Sequence, residues 1–168
     1  MILKLHHNAY RCRDSEETRR FYEDFLGLPL ANAFELTESK TGRPIRVLHS
    51  FYRLDDGSFL AFFDVPDSPF EFKVQHDFDL HIALEVAPEA LPVMLEKGQS
   101  QSMEVRGVAD HGAMHSIYFR DPNGYVIELT AKTDIHDADM DPQRNRARER
   151  LQDWTTAKDT LIEAERNV

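Results

Sequence analysis

Residues 114–129 read MHSIYFRDPNGYVIEL. Two apolar runs flank Asp121-Pro122-Asn123-Gly124, and these residue types in succession are turn formers, so the stretch predicts two strands joined by a tight turn. In the second run Val126, Ile127 and Leu129 surround a single acid, Glu128. An ionised carboxylate in an apolar strand loses its hydration unless a cation or hydrogen-bond donors replace it. A metal ion is the candidate that this placement raises.

Upstream of that stretch, DLHIALEV (79–86) is strand-like, and PEALPVMLEKG (88–98) predicts a short helix with Leu91, Met94 and Leu95 inward and Gly98 at its end. QSMEVRGV (101–108) completes a βαβββ order. The same order precedes it. ILKLHHNAYRC (2–12) is a strand candidate, and Asp14 with Glu17 forms a capping-box pattern. Phe21, Tyr22, Phe25 and Leu26 give a helical stripe closed by Gly27 and Pro29, and LANAFELTE, IRVLHSFYRL and SFLAFFDV read as strands. His7-Asn8-Ala9-Tyr10-Arg11 aligns with His81-Ile82-Ala83-Leu84-Glu85, and Gly57 with Gly124, so the two halves are an internal repeat. The expectation is an α+β fold of two tandem βαβββ modules, 1–68 and 77–133, with a C-terminal helical extension, 134–168. In that extension a helix is expected to start at Asp141-Pro142 and to carry Leu151, Trp154, Leu161 and Ala164 on one narrow face, docked on the body or pairing two chains.

Composition narrows the function classes. The 168 residues, 41% of them hydrophobic, suit one compact unit or two halves sharing a core. With 20 Lys and Arg against 30 Asp and Glu, the formal net charge of −10 disfavours a nucleic-acid partner. One cysteine, Cys12, excludes an intramolecular disulfide framework and a thiolate-only metal cage, and suits a reducing compartment. The first ten residues carry too short an apolar run for a signal peptide, and no stretch approaches a membrane span. A cytoplasmic protein acting on a small molecule, without nucleic-acid or membrane partners, is the expectation.

HNAYRCRDSEETRRFYEDFLGLPL, HIALEV and IYFRDPNGYVIEL together resemble the vicinal oxygen chelate superfamily over roughly residues 3 to 132. That superfamily holds glyoxalase I, extradiol dioxygenases, fosfomycin-modifying thiol transferases and bleomycin-binding proteins. The resemblance implies paired modules curled into a cupped mixed sheet, with metal-ligand places at His7, Ala61, His81 and Glu128. Alanine at the second leaves His7, His81 and Glu128 as the implied ligands, a set that suits Fe(II) first, with Mn(II), Zn(II) or Ni(II) as alternatives. His7 is preferred to His6 by the alignment alone. Homodimers are common in the resembling family.

HGAMHSIYFRDPNGYVIE, His111 to Glu128, is similar to the extradiol dioxygenase signature, which implies that His111 bonds a substrate hydroxyl and Tyr118 orients a bound catecholate. The leading expectation is therefore an extradiol-type ring-cleaving dioxygenase. Such enzymes also place an acid–base histidine at the edge of the strand ending the first half; none stands there, and His49 and His76 are off the expected place. An isomerase or lyase of the glyoxalase kind, or a thiol transferase, is the alternative on the same scaffold. Arg11, of the same strand parity as His7, falls where glyoxalase I grips an anionic substrate, whereas Cys12 has the opposite parity and is a poor nucleophile candidate. A non-catalytic small-molecule-binding protein is the third reading.

Overall fold

The computed structural model of the chain describes residues 1–72, 76 and 78–166, with side chains as far as Lys158. The elements run β1 (Tyr10–Cys12), α1 (Ser15–Arg19, widening into a π-helical segment, Arg20–Phe25), β2 (Leu30–Glu38), β3 (Pro44–Arg53), β4 (Phe59–Asp64), β5 (His81–Glu85), α2 (Ala90–Ser100), β6 (Val105–Asp110), β7 (Met114–Arg120), β8 (Val126–Lys132), α3 (His136–Asp139) and α4 (Ala147–Arg166). They form two mixed four-stranded sheets of identical topology, β1-β4-β3-β2 and β5-β8-β7-β6. In each, the first strand lies parallel to the last.

The register confirms the alignment of the two halves. His7 bridges Phe59, two residues after Gly57, while His81 pairs with Val126, two residues after Gly124. Both glycines sit at positive φ, +77° and +93°, the left-handed turn conformation that glycine adopts without a Cβ penalty. Ala61 and Glu128 are therefore equivalent places.

Each sheet turns one face to a shared core. Ile117, Phe119, Ile127 and Leu129 of the second sheet cluster with Leu60 and Phe62 of the first and with Phe21, Tyr22 and Phe25 of the first helix. A buried polar knot locks the halves together. The Asp121 carboxylate, 4% exposed, accepts the Tyr22 hydroxyl at 2.9 Å, the Asn123 side-chain amide at 2.9 Å and the backbone N–H groups of Asn123 and Tyr125 at 2.9 and 2.8 Å. Asn123 accepts the Arg13 N–H, and the Tyr125 hydroxyl donates to the Arg11 carbonyl. The Asp-Pro-Asn-Gly turn of the second module is thus also the socket for the start of the first helix.

Several local expectations are corrected. The first strand shortens to Tyr10–Cys12, preceded by the lone His7 bridge, because Asn8 bonds the Ala61 N–H through its side chain, at 2.9 Å. Only half of the capping box forms: Asp14 accepts the Glu17 N–H, but the Glu17 carboxylate turns to Arg13. Gly98 does not end its helix, which continues to Ser100; it lies buried where an added Cβ would come 2.6 Å from the Phe119 ring. The Asp141 carboxylate caps a single turn by accepting the Gln143 N–H, and the long helix starts only after Asn145, whose side chain accepts from Ala147. Leu151 and Trp154 are each 67% exposed, so the helix does not dock these residues on its own body. The side chains of Leu161 and Ala164, and residue 77 at the expected start of the second module, lie outside the described residues.

Gly98→Ala tests the close approach. Overpacking of this kind costs about 1–3 kcal/mol, offset by about 1 kcal/mol of better helix propensity. A net loss of stability in urea unfolding is expected, and a stabilised variant would contradict the packing.

Candidate active site

The second sheet turns the apolar members of β8 at alternate positions toward the core. Ile127, Leu129 and Ala131 of β8 enter the core, so Glu128, Thr130 and Lys132 share the opposite face. Glu128 pairs with Ala83 of β5 and Tyr118 of β7, which puts His81, two residues before Ala83, and Tyr118 beside it. Arg106 of β6 pairs with Tyr118 and lies over its ring, 5.1 Å from the centroid.

These side chains form one string of polar contacts. The His81 Nε2 is 3.3 Å from Glu128 Oε2, the Tyr118 hydroxyl donates to Glu128 Oε1 at 3.2 Å, and His111 Nε2 is 2.8 Å from the Tyr118 oxygen. Tyr118 has one hydrogen and a carboxylate only accepts, so His111 carries its hydrogen on Nε2 and donates it to Tyr118. Burial and, next, the charge of Glu128 push the Tyr118 phenol above its ordinary value and keep it a donor. Glu128 itself is 5% exposed and His81 lies half in solvent. The string answers why an acid stands in the apolar strand: a tyrosine and a histidine replace the lost water.

The pair has the bite of two ligands on one ion. Two donors each about 2.1 Å from a metal, at angles between a right angle and the tetrahedral value, lie roughly 3.0–3.4 Å apart. The observed 3.3 Å between His81 and Glu128 falls in that span. An ion would take the place of the proton that Nε2 must otherwise carry when it faces a carboxylate. The third expected ligand, His7, has neighbours of its own. His7 bonds His6 through Nδ1 at 2.8 Å and packs near Phe51 and His49, with ring centroids at 5.5 and 6.3 Å. Among the described residues no group of three His, Cys, Asp or Glu side chains is placed to hold a metal ion.

The first sheet also has a face turned from the core. His7 pairs with Phe59 and Arg11 with Phe63, and the even spacing along β4 puts His7 and Arg11 on the same side. Arg11 donates through Nη2 to the Ser68 carbonyl at 2.9 Å and borders a crevice of about 300 Å³ with Phe70, Glu71 and Tyr125. Sequence reasoning set His49 aside because it stands on β3 instead of at the expected strand edge. It pairs with Phe63 across the strands and so shares the face of His7; the alternation of His49 with Phe51 was the signal available. His76 stays in the loop, its Nδ1 accepting from Phe78.

Cys12 is buried on the core side, and burial raises its thiol to about 11. Ellman's reagent at pH 8 is expected to leave the native protein unlabelled and to modify one thiol in urea. Rapid native labelling would contradict the packing around Cys12.

The fold agrees with what known proteins share with the chain. The profile of the Glyoxalase/Bleomycin resistance protein/Dioxygenase superfamily matches residues 4–129, and the chain belongs to that superfamily. No curated protein matches it. Among solved structures, a glyoxalase/dioxygenase from Nostoc punctiforme is 24% identical with a TM-score of 0.58, covering 78% of this chain and 92% of that one. A glyoxylase/bleomycin resistance protein/dioxygenase domain from Frankia sp. EAN1pec has 16% identity and a TM-score of 0.62, covering 82% and 98%. The fosfomycin resistance protein FosX from Listeria monocytogenes, complexed with Mn(II) and sulfate ion, has 21% identity and a TM-score of 0.57, covering 82% and 98%. At these identities the likeness is one of fold. No helix among the described residues is long and apolar enough to cross a membrane.

Proposed function

We propose that the chain is a metal-dependent, extradiol-type dioxygenase that opens the ring of a catechol-like substrate, working as a homodimer. His81 and Glu128 of one chain and His7 of the other would hold the ion, Fe(II) in the first instance. The observation that carries this reading is the string from His111 through Tyr118 and Glu128 to His81. That no group of three ligating side chains gathers among the described residues of one chain supports the dimer. When bound, the ion supplies open positions for vicinal oxygens and Lewis-acid polarisation.

The chain's own residues do the rest. Tyr118 pins one oxygen of Glu128 and leaves the other to converge with His81. His111, at the exposed end, exchanges a proton with water and presents its Nε2–H to the Tyr118 oxygen. Arg106 over the Tyr118 ring and Arg11 beside the first sheet add positive charge that favours an ionised hydroxyl. Arg11 also favours the second reading, an isomerase, lyase or thiol transferase acting on an anionic substrate with the same ligands.

The test loads the protein with Fe(II) anaerobically and follows oxygen uptake with a panel of catechols, beside a hemithioacetal isomerase assay with Ni(II) or Zn(II). Oxygen consumption with a coloured ring-opened product supports the first reading; isomerase turnover without it selects the second. A protein that retains neither metal nor activity favours the third reading, a non-catalytic small-molecule-binding protein. His7→Ala and His81→Ala should each lose metal, and refolding the two together should restore about a quarter of the sites, since half the dimers would pair a good half-site of each. Unchanged metal content in either variant removes that residue from the site.

A further inference from the structure

The C-terminal helix stands off the body. Every described side chain of α4, from Ala147 to Lys158, is exposed, Leu151 and Trp154 among them. Helices in proteins draw most of their stability from packing an amphipathic face, so an undocked helix of 20 residues leaves that face for a partner. Arg150 precedes Trp154 by four residues and Arg148 precedes Leu151 by three, so the two arginines flank the two apolar side chains on one face. Arg146 is held by Glu149, whereas among the described residues no acid pairs with Arg148 or Arg150.

Charge says what that partner is. Residues 1–140 hold 14 of the 20 basic and 24 of the 30 acidic residues, and with them the whole net charge of −10. The stretch 142–158 holds five basic residues against two acids. A nucleic acid or an anionic membrane that drew this arm in would repel the body behind it, whereas a second copy offers an acidic body to a basic arm.

The body also has a receptor of fitting chemistry. A crevice of about 580 Å³ lies between the β3–β4 turn and the end of β5, with Leu54, Leu84 and Val86 as its apolar lining and Asp55, Asp56 and Glu85 as its acids. Glu85 is paired with Lys132 at 3.1 Å, and Asp56 is occupied by Ser58 and by the nearby charge of Lys4. Asp55, exposed and without an ion pair among the described residues, is the open acid. Lys132 borders the same crevice and is the last residue of β8, so the arm leaves beside it. A two-fold axis close to that point would let each chain send its arm into the crevice of the other, a closed exchange.

We infer that the crevice bordered by Leu54, Asp55 and Glu85 receives α4 of a second copy of this chain, Leu151 and Trp154 entering it while Arg148 and Arg150 meet its acids. The contact is reciprocal and needs no metal, so it stands apart from the shared ion of the proposed function.

Sedimentation velocity of the full-length, chelator-treated protein, over a range of protein and salt concentrations, is the test. The wild type should dimerise, with Kd rising as salt screens the charges. Arg148→Glu combined with Arg150→Glu should weaken the dimer by about tenfold or more, and Asp55→Arg should do the same from the other side. Trp154→Ser should weaken it as well. All these positions are exposed, and unchanged backbone dichroism checks that the fold is kept. Mixing the arm variant with Asp55→Arg should restore dimers, because in the mixed pair an acidic arm meets the altered crevice and a basic arm meets the unaltered one. A merely structural role for these residues would not give that rescue. A wild type that is monomeric without metal overturns the contact, and dimers that form only when Fe(II) is added belong to the shared ion instead. A metal-free dimer indifferent to both charge reversals, or a mixture that stays monomeric, overturns it too. Binding of a monomeric wild type to phosphatidylglycerol vesicles, lost in the arm variant, would assign the arm to lipid and overturn the second copy as its partner.

Discussion

The buried carboxylate of Asp121 is the constraint on which the relation between the two halves depends. Desolvation pushes its carboxyl upward, and the amide and N–H of Asn123, the N–H of Tyr125 and the hydroxyl of Tyr22 oppose that shift by bonding the ionised form. Of these donors only Tyr22 comes from the first module, and its ring is fully buried between Tyr52 and Phe62. The polar bond therefore fixes position while apolar contact around it supplies stability. Because the turn that carries Asp121 also leads into β8, the placement of Glu128 is tied to the same knot.

That coupling gives the sheets their division of labour. Each sheet spends one face on the common core, and each therefore has one face left for chemistry. Alternation along β8 alone separates Glu128 from its apolar neighbours. On the first sheet the equivalent place is Ala61, whose backbone is held by Asn8, so the repeat keeps the frame while only one half keeps the acid.

Much of this was legible in the residues. Period-two runs and turn residues located β2 at its observed bounds and most other strands within a residue or two. The repeat was legible because both halves need a left-handed glycine at the same step before their last strand. What the sequence hid were tertiary decisions. Gly98 looks like a helix stop until Phe119 is seen against it, and Asp141-Pro142 looks like a helix start although Asn145 makes the effective cap. In the candidate site, His81, His111, Tyr118 and Glu128 were named through the family resemblance, whereas their joining into one string depends on strand pairing that the sequence does not state. His7 could not be placed the same way, because spacing along one chain carries no information about which sheet face meets which.

The exposed position of Trp154 has a spectroscopic consequence. It is the sole tryptophan, and it sits on α4, away from the core. Intrinsic emission excited at the red edge therefore reports the environment of this arm and is nearly blind to melting of the sheets. Dilution that releases a covering second chain would shift the emission to longer wavelength while the backbone dichroism of the body stays constant.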